Sequence, residues 1–228
     1  MNNRRIWFRL GGVLAAAAVC TGGAAVVSDR AQKAKNVQRA FLGAMETQMQ
    51  IGCYPSETGS PADLTERERT ELQTAYTSRV EQYYTEENPC RKRYIALNED
   101  FLTACDSDVE YSESGGVADC RFDSVRLYAD RMTAVVQAQT VVWDKRISGN
   151  PEQGFSVELP VNRDTITATM KKENGVWKLD SIDSQISLSA AVSADDEVCR
   201  ERYPTFETAR QAADSIDDQA YIKEARFA

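Results

Sequence analysis

The rhythm of apolar and polar positions changes several times along the chain. Leu10 to Val27 shows no alternation: 18 residues, mostly Ala, Val and Gly, without a charge. As a helix they rise about 27 Å at 1.5 Å per residue. Ile6, Trp7 and Phe8 lengthen the run, with Trp7 suited to the interface and Arg9 able to draw its charge back to the headgroups. Residues 6–27 are therefore long enough to span a bilayer and to contact its lipid. From Ser28 the period becomes helical. Val37, Phe41, Ala44, Met45 and Met49 share one face, Arg30, Lys33, Lys35 and Arg39 take the others, and no proline occurs before Pro55. This predicts an anchor or signal over 1–28 and a stalk helix over 29–52 continuing the membrane helix outward. Two alternatives to the anchor stay open. Gly22-Gly23-Ala24 offers the small residues of a signal cleavage site, and Cys20 a lipidation site, though bulky Val19 precedes it. Three arginines before the run favour a cytoplasmic N-terminus and place the bulk of the chain outside the cytoplasmic membrane, or secreted if the signal is cleaved.

A turn-rich segment from Cys53 to Pro61 opens the folded domain, expected over 53–186. Thr65 with Glu68 reads as a capping box, followed by Leu72, Tyr76, Val80 and Tyr83 on one helical face. Asn88-Pro89 starts a second helix with Tyr94, Leu97, Phe101, Leu102 and Cys105 on its apolar side. The two make a helical hairpin.

Near residue 109 the period shortens to two. Phe122, Val125 and Leu127 precede a turn at Ala129-Asp130-Arg131, and Met132 to Val142 alternate as a long strand. Phe155 to Val161 and Ile166 to Met170 alternate again, with a bulge or bend expected at Pro160. Asn174-Gly175 is a type I′ hairpin signal that sets Val176, Trp177, Leu179 and Ile182 on a return strand. The expected fold is α+β: a transmembrane helix and stalk, then a helical hairpin packed on a curved four-stranded antiparallel sheet. Residues 187–228 form a C-terminal tail. Its 187–198 part is ambiguous, and its helix over 203–225 carries Phe206, Ala209, Ala213 and Ile216 on a modest face expected to dock loosely or not at all.

Charge divides the chain. Residues 1–39 hold seven Lys/Arg and one Asp; the formal net of −8 then leaves −14 beyond them. Such a domain repels phosphate, so no nucleic-acid partner is expected. With 42% hydrophobic residues the remainder can bury one core.

The chain contains no histidine, which excludes mixed Cys/His metal sites and nucleophile schemes based on imidazole. No cofactor, metal or catalytic residue is assigned. Six cysteines are present; Cys53, Cys90, Cys105, Cys120 and Cys199 are disulfide candidates in an oxidising compartment, with Cys53–Cys105 and Cys105–Cys120 the nearest expected pairs. Buried reduced thiols are the alternative.

The order of helices, long bent strands and a closing Asn174-Gly175-Val176-Trp177-Lys178-Leu179 hairpin resembles the nuclear-transport-factor-2-like (NTF2-like) cone fold over residues 64–184. With an N-terminal anchor, the architecture is similar to VirB8-like and Mce-associated bacterial membrane proteins. The resemblance implies a non-catalytic, membrane-anchored assembly module of a secretion, conjugation or transport system, with protein partners or self-association. The Gly12, Ala16, Cys20 and Ala24 spacing offers a small-residue face for that association.

The alternative is a small-molecule binder or weak acid/base enzyme using the cone, with Tyr76, Tyr94, Trp143 and Trp177 as pocket or core aromatics and Asp123, Asp130 or Asp164 as a carboxylate. Asp106, Asp108, Glu110 and Glu113 beside Gly115-Gly116 are oxygen ligands for a cation or, without an EF-hand spacing, a solvated loop.

Overall fold

The computed structural model describes residues 29–53, 64–103, 109–190 and 197–218, with residues 220 and 223. The apolar run 6–27, the turn-rich 54–63, Cys105, Asp106 and Asp108 lie outside the described residues. Among the described residues no helix is long and apolar enough to cross a membrane.

The first described element, α1, spans residues 29–49. Its apolar face is the expected one, but its place is not that of a stalk: Val37, Phe41, Ala44 and Met45 are buried in the principal core of the domain. They pack there with Tyr76 and Val80 of α2 (Glu66–Tyr83) and Tyr94 of α3 (Pro89–Thr103). Two tyrosine hydroxyls fix α1 in place, Tyr84 donating to the Ala44 carbonyl at 2.7 Å and Tyr76 to that of Thr47 at 3.2 Å. A stalk and a core helix share one amphipathic pattern, which is why periodicity alone does not separate them.

Both hairpin helices start where the sequence places their caps. Thr65 and Glu68 form the capping box of α2. Asn88 Oδ1 accepts the Cys90 N–H at 2.8 Å above Pro89, while its amide donates to Leu179 on the sheet at 3.1 Å, so the α3 cap is also a tie to the core.

The sheet is five-stranded and antiparallel: β1 (Val109–Leu127), β2 (Thr133–Asn150), β3 (Gly154–Glu158), β4 (Val161–Glu173) and β5 (Val176–Ala190). The order is β1-β2-β4-β5, with β3 paired to the far end of β2. Five strands stand where four are expected because the third is broken at Leu159-Pro160, and the Asp144 N–H bridges the break by bonding the Pro160 carbonyl at 3.1 Å. The β4–β5 turn has the positive φ of a type I′ turn at Asn174 (51°) and Gly175 (85°). In the β1–β2 turn Asp130 accepts from the backbone of Met132 and Thr133 and from the Thr133 hydroxyl.

Gly115-Gly116 is strand, not loop. β1 carries register shifts at Ser112/Ser114, Val117/Asp119 and Phe122/Ser124, and its two glycines lie under the end of α1. A Cβ on Gly115 would stand 2.7 Å from the Met49 carbonyl oxygen, and one on Gly116 2.7 Å from Glu46 Oε2. Missing side chains let the helix approach the strand.

β2 alternates buried and less buried residues as far as Thr140, then is buried continuously from Thr140 to Lys145. By strand periodicity Ala134, Val136 and Ala138 face α1, whereas Val141, Trp143 and Ile147 face the other way. That second face is covered by the C-terminal segment: α4 (Glu197–Arg200) and α5 (Phe206–Asp214). Ala209 and Ala213 are fully buried with Tyr111, Ile147, Phe155 and Val157, and Phe206 stacks edge-on against Tyr111 and Phe155 at 5.4 and 6.1 Å. The tail expected to dock loosely is a second core. Its alanines contribute little apolar area but allow a close helix–sheet approach.

Candidate functional site

The four aromatic candidates are core residues. Tyr76, Tyr94 and Trp177 belong to the cluster around α1, where Tyr94 meets Tyr84 edge-on at 5.5 Å. Trp143 packs with Val141, Leu159 and Val161 on the opposite face. Burial, reinforced by the neighbouring Tyr94, raises the phenol pKa values of Tyr76 and Tyr84, so these hydroxyls act as neutral donors.

Cys53, Cys90 and Cys120 carry free thiols. Burial pushes the Cys53 and Cys120 thiols up to about 12, with acidic neighbours Asp144 and Asp119 adding to it, which keeps both protonated and poorly nucleophilic. Cys199 packs half-buried beside the Trp143 cluster. Among the described residues no three His, Cys, Asp or Glu side chains gather as a metal site requires.

Two groups of polar side chains assemble around buried members. In the first, Lys145 on β2 lies buried with its ammonium 2.9 Å from Asp218 and 3.3 Å from Glu113 on β1, and it donates to the Ala213 carbonyl at 3.2 Å. Burial, reinforced by a hydrogen bond to Asp214, pushes the Glu113 carboxyl up to about 7 despite the opposing Lys145. Glu113, read as part of an acidic loop, is instead part of a clamp that ties the end of α5 to the sheet. The second group is a cross-strand row, Cys120, Thr140, Asp164 and Ser187, just beyond the α1 core. Asp164 and Thr140 are buried; Asp164 Oδ2 accepts from Gln185 at 3.0 Å, while Asp164 Oδ1 and Thr140 Oγ1 have no hydrogen-bond partner among the described residues. Of the three aspartates weighed as a carboxylate, Asp130 serves the turn, Asp123 is exposed and Asp164 faces inward.

The outer surface carries the features that sequence reasoning passed over. β5 runs eight residues beyond Ile182 as an edge strand, and every residue from Asp183 to Leu188 is exposed. Ile186 is 61% and Leu188 67% exposed. Alternation of Ile186 and Leu188 with serines is the signal that marks this strand. Cavities lie at the periphery: about 450 Å³ between the start of α1 and the β1–β2 hairpin, about 340 Å³ between α1 and the Gly175 turn, and about 180 Å³ between α2 and α3.

No family model matches the chain, and no curated protein matches it. Among solved structures it is similar to the intermembrane-space region of the chloroplast protein ARC6, with a TM-score of 0.39 and 13% identity, covering 69% of this chain and 97% of that one. A likeness this distant assigns neither fold family nor function.

Proposed function

We propose that this chain is a non-catalytic, single-pass membrane-anchored module, held outside the cytoplasmic membrane of a bacterial envelope, whose β5 edge receives a strand from a partner in a secretion, conjugation or transport assembly. The observation that carries this reading is the outer edge of β5, which no described strand covers. From Ser184 to Ala190 β5 contains no charge and no proline, pairs regularly with β4 on its inner side, and among the described residues meets no strand on its outer side. Natural edges of this length carry charges, prolines or covers, because a bare row of N–H and C=O groups templates pairing. An edge left bare is suited to strand addition, in which the backbone supplies affinity and side chains such as Ile186 and Leu188 supply specificity. The membrane reading is supported by continuity: the apolar run ends at Val27 and α1 is already helical at residue 29. The succession of a core helix, a helical hairpin and a bent antiparallel sheet fits the NTF2-like cone.

Photo-crosslinking in native membranes tests this reading. A benzophenone residue at position 186 is expected to yield a discrete protein adduct, and one at exposed Glu152 none; equal behaviour at both positions would remove the edge from the account.

A second reading, a small polar ligand at the cone row, is favoured by the unpartnered buried oxygens of Asp164 and Thr140. Native mass spectrometry separates the two, since only this reading expects a bound small molecule that is lost in Asp164→Asn.

A further inference from the structure

We infer that the β1–β2 hairpin tip and the first turns of α1 form a second membrane contact, one that takes anionic phospholipid headgroups; the inference rests on the anchor reading above. Leu127, Tyr128 and Arg131 of the tip share an open cavity of about 450 Å³ with Asp29, Arg30 and Lys33 of α1. The hairpin itself is tightly held: β1 and β2 pair to Leu127 and Ala134, Tyr128 and Thr133 close the turn, and Asp130 binds its backbone. Yet Tyr128 and Met132, flanking the turn, are 47% and 48% exposed. A rigid turn that presents two large side chains to solvent offers them to something.

Charge says what. The chain beyond residue 39 is strongly acidic, but Arg30, Lys33 and Arg131 line this cavity, Arg126 lies two residues before Tyr128, and the carboxylates of the same turns, Asp29 and Asp130, are both engaged. Asp29 is paired with Lys33, and Asp130 is engaged by three donors of the turn. Arginines beside an amphipathic tyrosine and a methionine are the composition of a bilayer interface, where cations meet lipid phosphates and the apolar bodies enter the headgroup layer. Position agrees on the anchor reading, because the apolar run ends at Val27 and the chain is already in α1 at residue 29, which brings these first described turns of α1, and the tip beside them, to the membrane surface. The tip then sets the tilt of the domain and the direction in which β5 faces.

Hydroxyl-radical footprinting of the full chain in lipid nanodiscs reads Tyr128 and Met132 directly. Discs of phosphatidylcholine alone are compared with discs in which a third of the lipid is phosphatidylglycerol, with Ile186 and Leu188 as internal references. Oxidation of Tyr128 and Met132 is expected to slow several-fold in the anionic discs, with the references unchanged, and the protection is expected to vanish in Arg30→Glu/Arg131→Glu. Equal oxidation in both discs, with the chain still inserted, overturns the lipid contact and leaves the anchor standing. A chain that does not enter discs of either composition overturns the anchor and this inference together.

Discussion

Gly115 on β1 lies so close under the last turn of α1 that a Cβ on it would stand 2.7 Å from the carbonyl oxygen of Met49. Backbone cannot retreat as a side chain can, so Gly115→Ala is expected to destabilise the domain by about 1–3 kcal/mol. Gly116→Ala meets the carboxylate end of the Glu46 side chain at the same distance, with Trp143 Nε1 at an ordinary 3.5 Å, and because a side-chain end can shift its cost is expected to stay below about 1 kcal/mol. Urea unfolding of the two variants side by side measures the difference. Equal cost would mean that α1 does not lie against this strand.

Phe41 tests the same packing from the helix side. Its ring is fully buried and meets Phe122 edge-on at 5.9 Å. Phe41→Ala is expected to cost about 3–5 kcal/mol in equilibrium unfolding. On a free stalk the same change would barely register.

Much of this fold is legible in the sequence wherever the deciding physics is local. Thr65 with Glu68, Asn88-Pro89, Asn174-Gly175 and Pro160 each act through their own backbone and neighbours, and each marks an element boundary or break in the structure. What is not legible depends on which surface meets which. Val37, Phe41 and Ala44 declare an amphipathic helix without naming its partner, and Gly115-Gly116 beside acidic residues reads as a loop until α1 is placed above it. Ala209 and Ala213 look weakly apolar although their small size is what permits docking. Lys145 and Glu113, far apart in sequence and charged, carry no local sign that they meet in the interior.

The Glu113–Lys145 clamp predicts a pH dependence. Burial on folding raises the Glu113 carboxyl from its ordinary value of 4.5 to about 7, so between those values the folded state holds a proton that the unfolded state releases. Stability from this group is therefore lost as pH rises from about 4.5 through 7, by an amount on the order of 3 kcal/mol at most. In Glu113→Gln this component disappears. Urea midpoints at pH 5 and pH 8 are expected to converge on, or move in favour of, the variant as pH rises; a wild-type advantage that grows with pH would contradict the assignment.

Docking of the C-terminal segment is tested at Ala213. The site is fully buried, and its carbonyl accepts from Lys145 at 3.2 Å. Ala213→Glu places a larger, charged side chain in that contact and is expected to cost at least about 2 kcal/mol. Limited proteolysis is expected to cut the variant before Phe206 under conditions in which the wild-type chain stays whole. A tail that merely rests on the surface would be cut equally in both.

Binding of a partner strand at the β5 edge is tested by charging that edge. Ile186→Lys/Leu188→Lys places two charges on residues that are 61% and 67% exposed, so the fold is expected to survive, with unchanged circular dichroism and a stability change within about 1 kcal/mol. The measurement is the native size of the complex extracted from membranes in mild detergent, wild type against this double variant. A defined assembly is expected for the wild type and its loss to the bare protomer in the variant; an assembly of unchanged size would mean that no partner strand binds at β5.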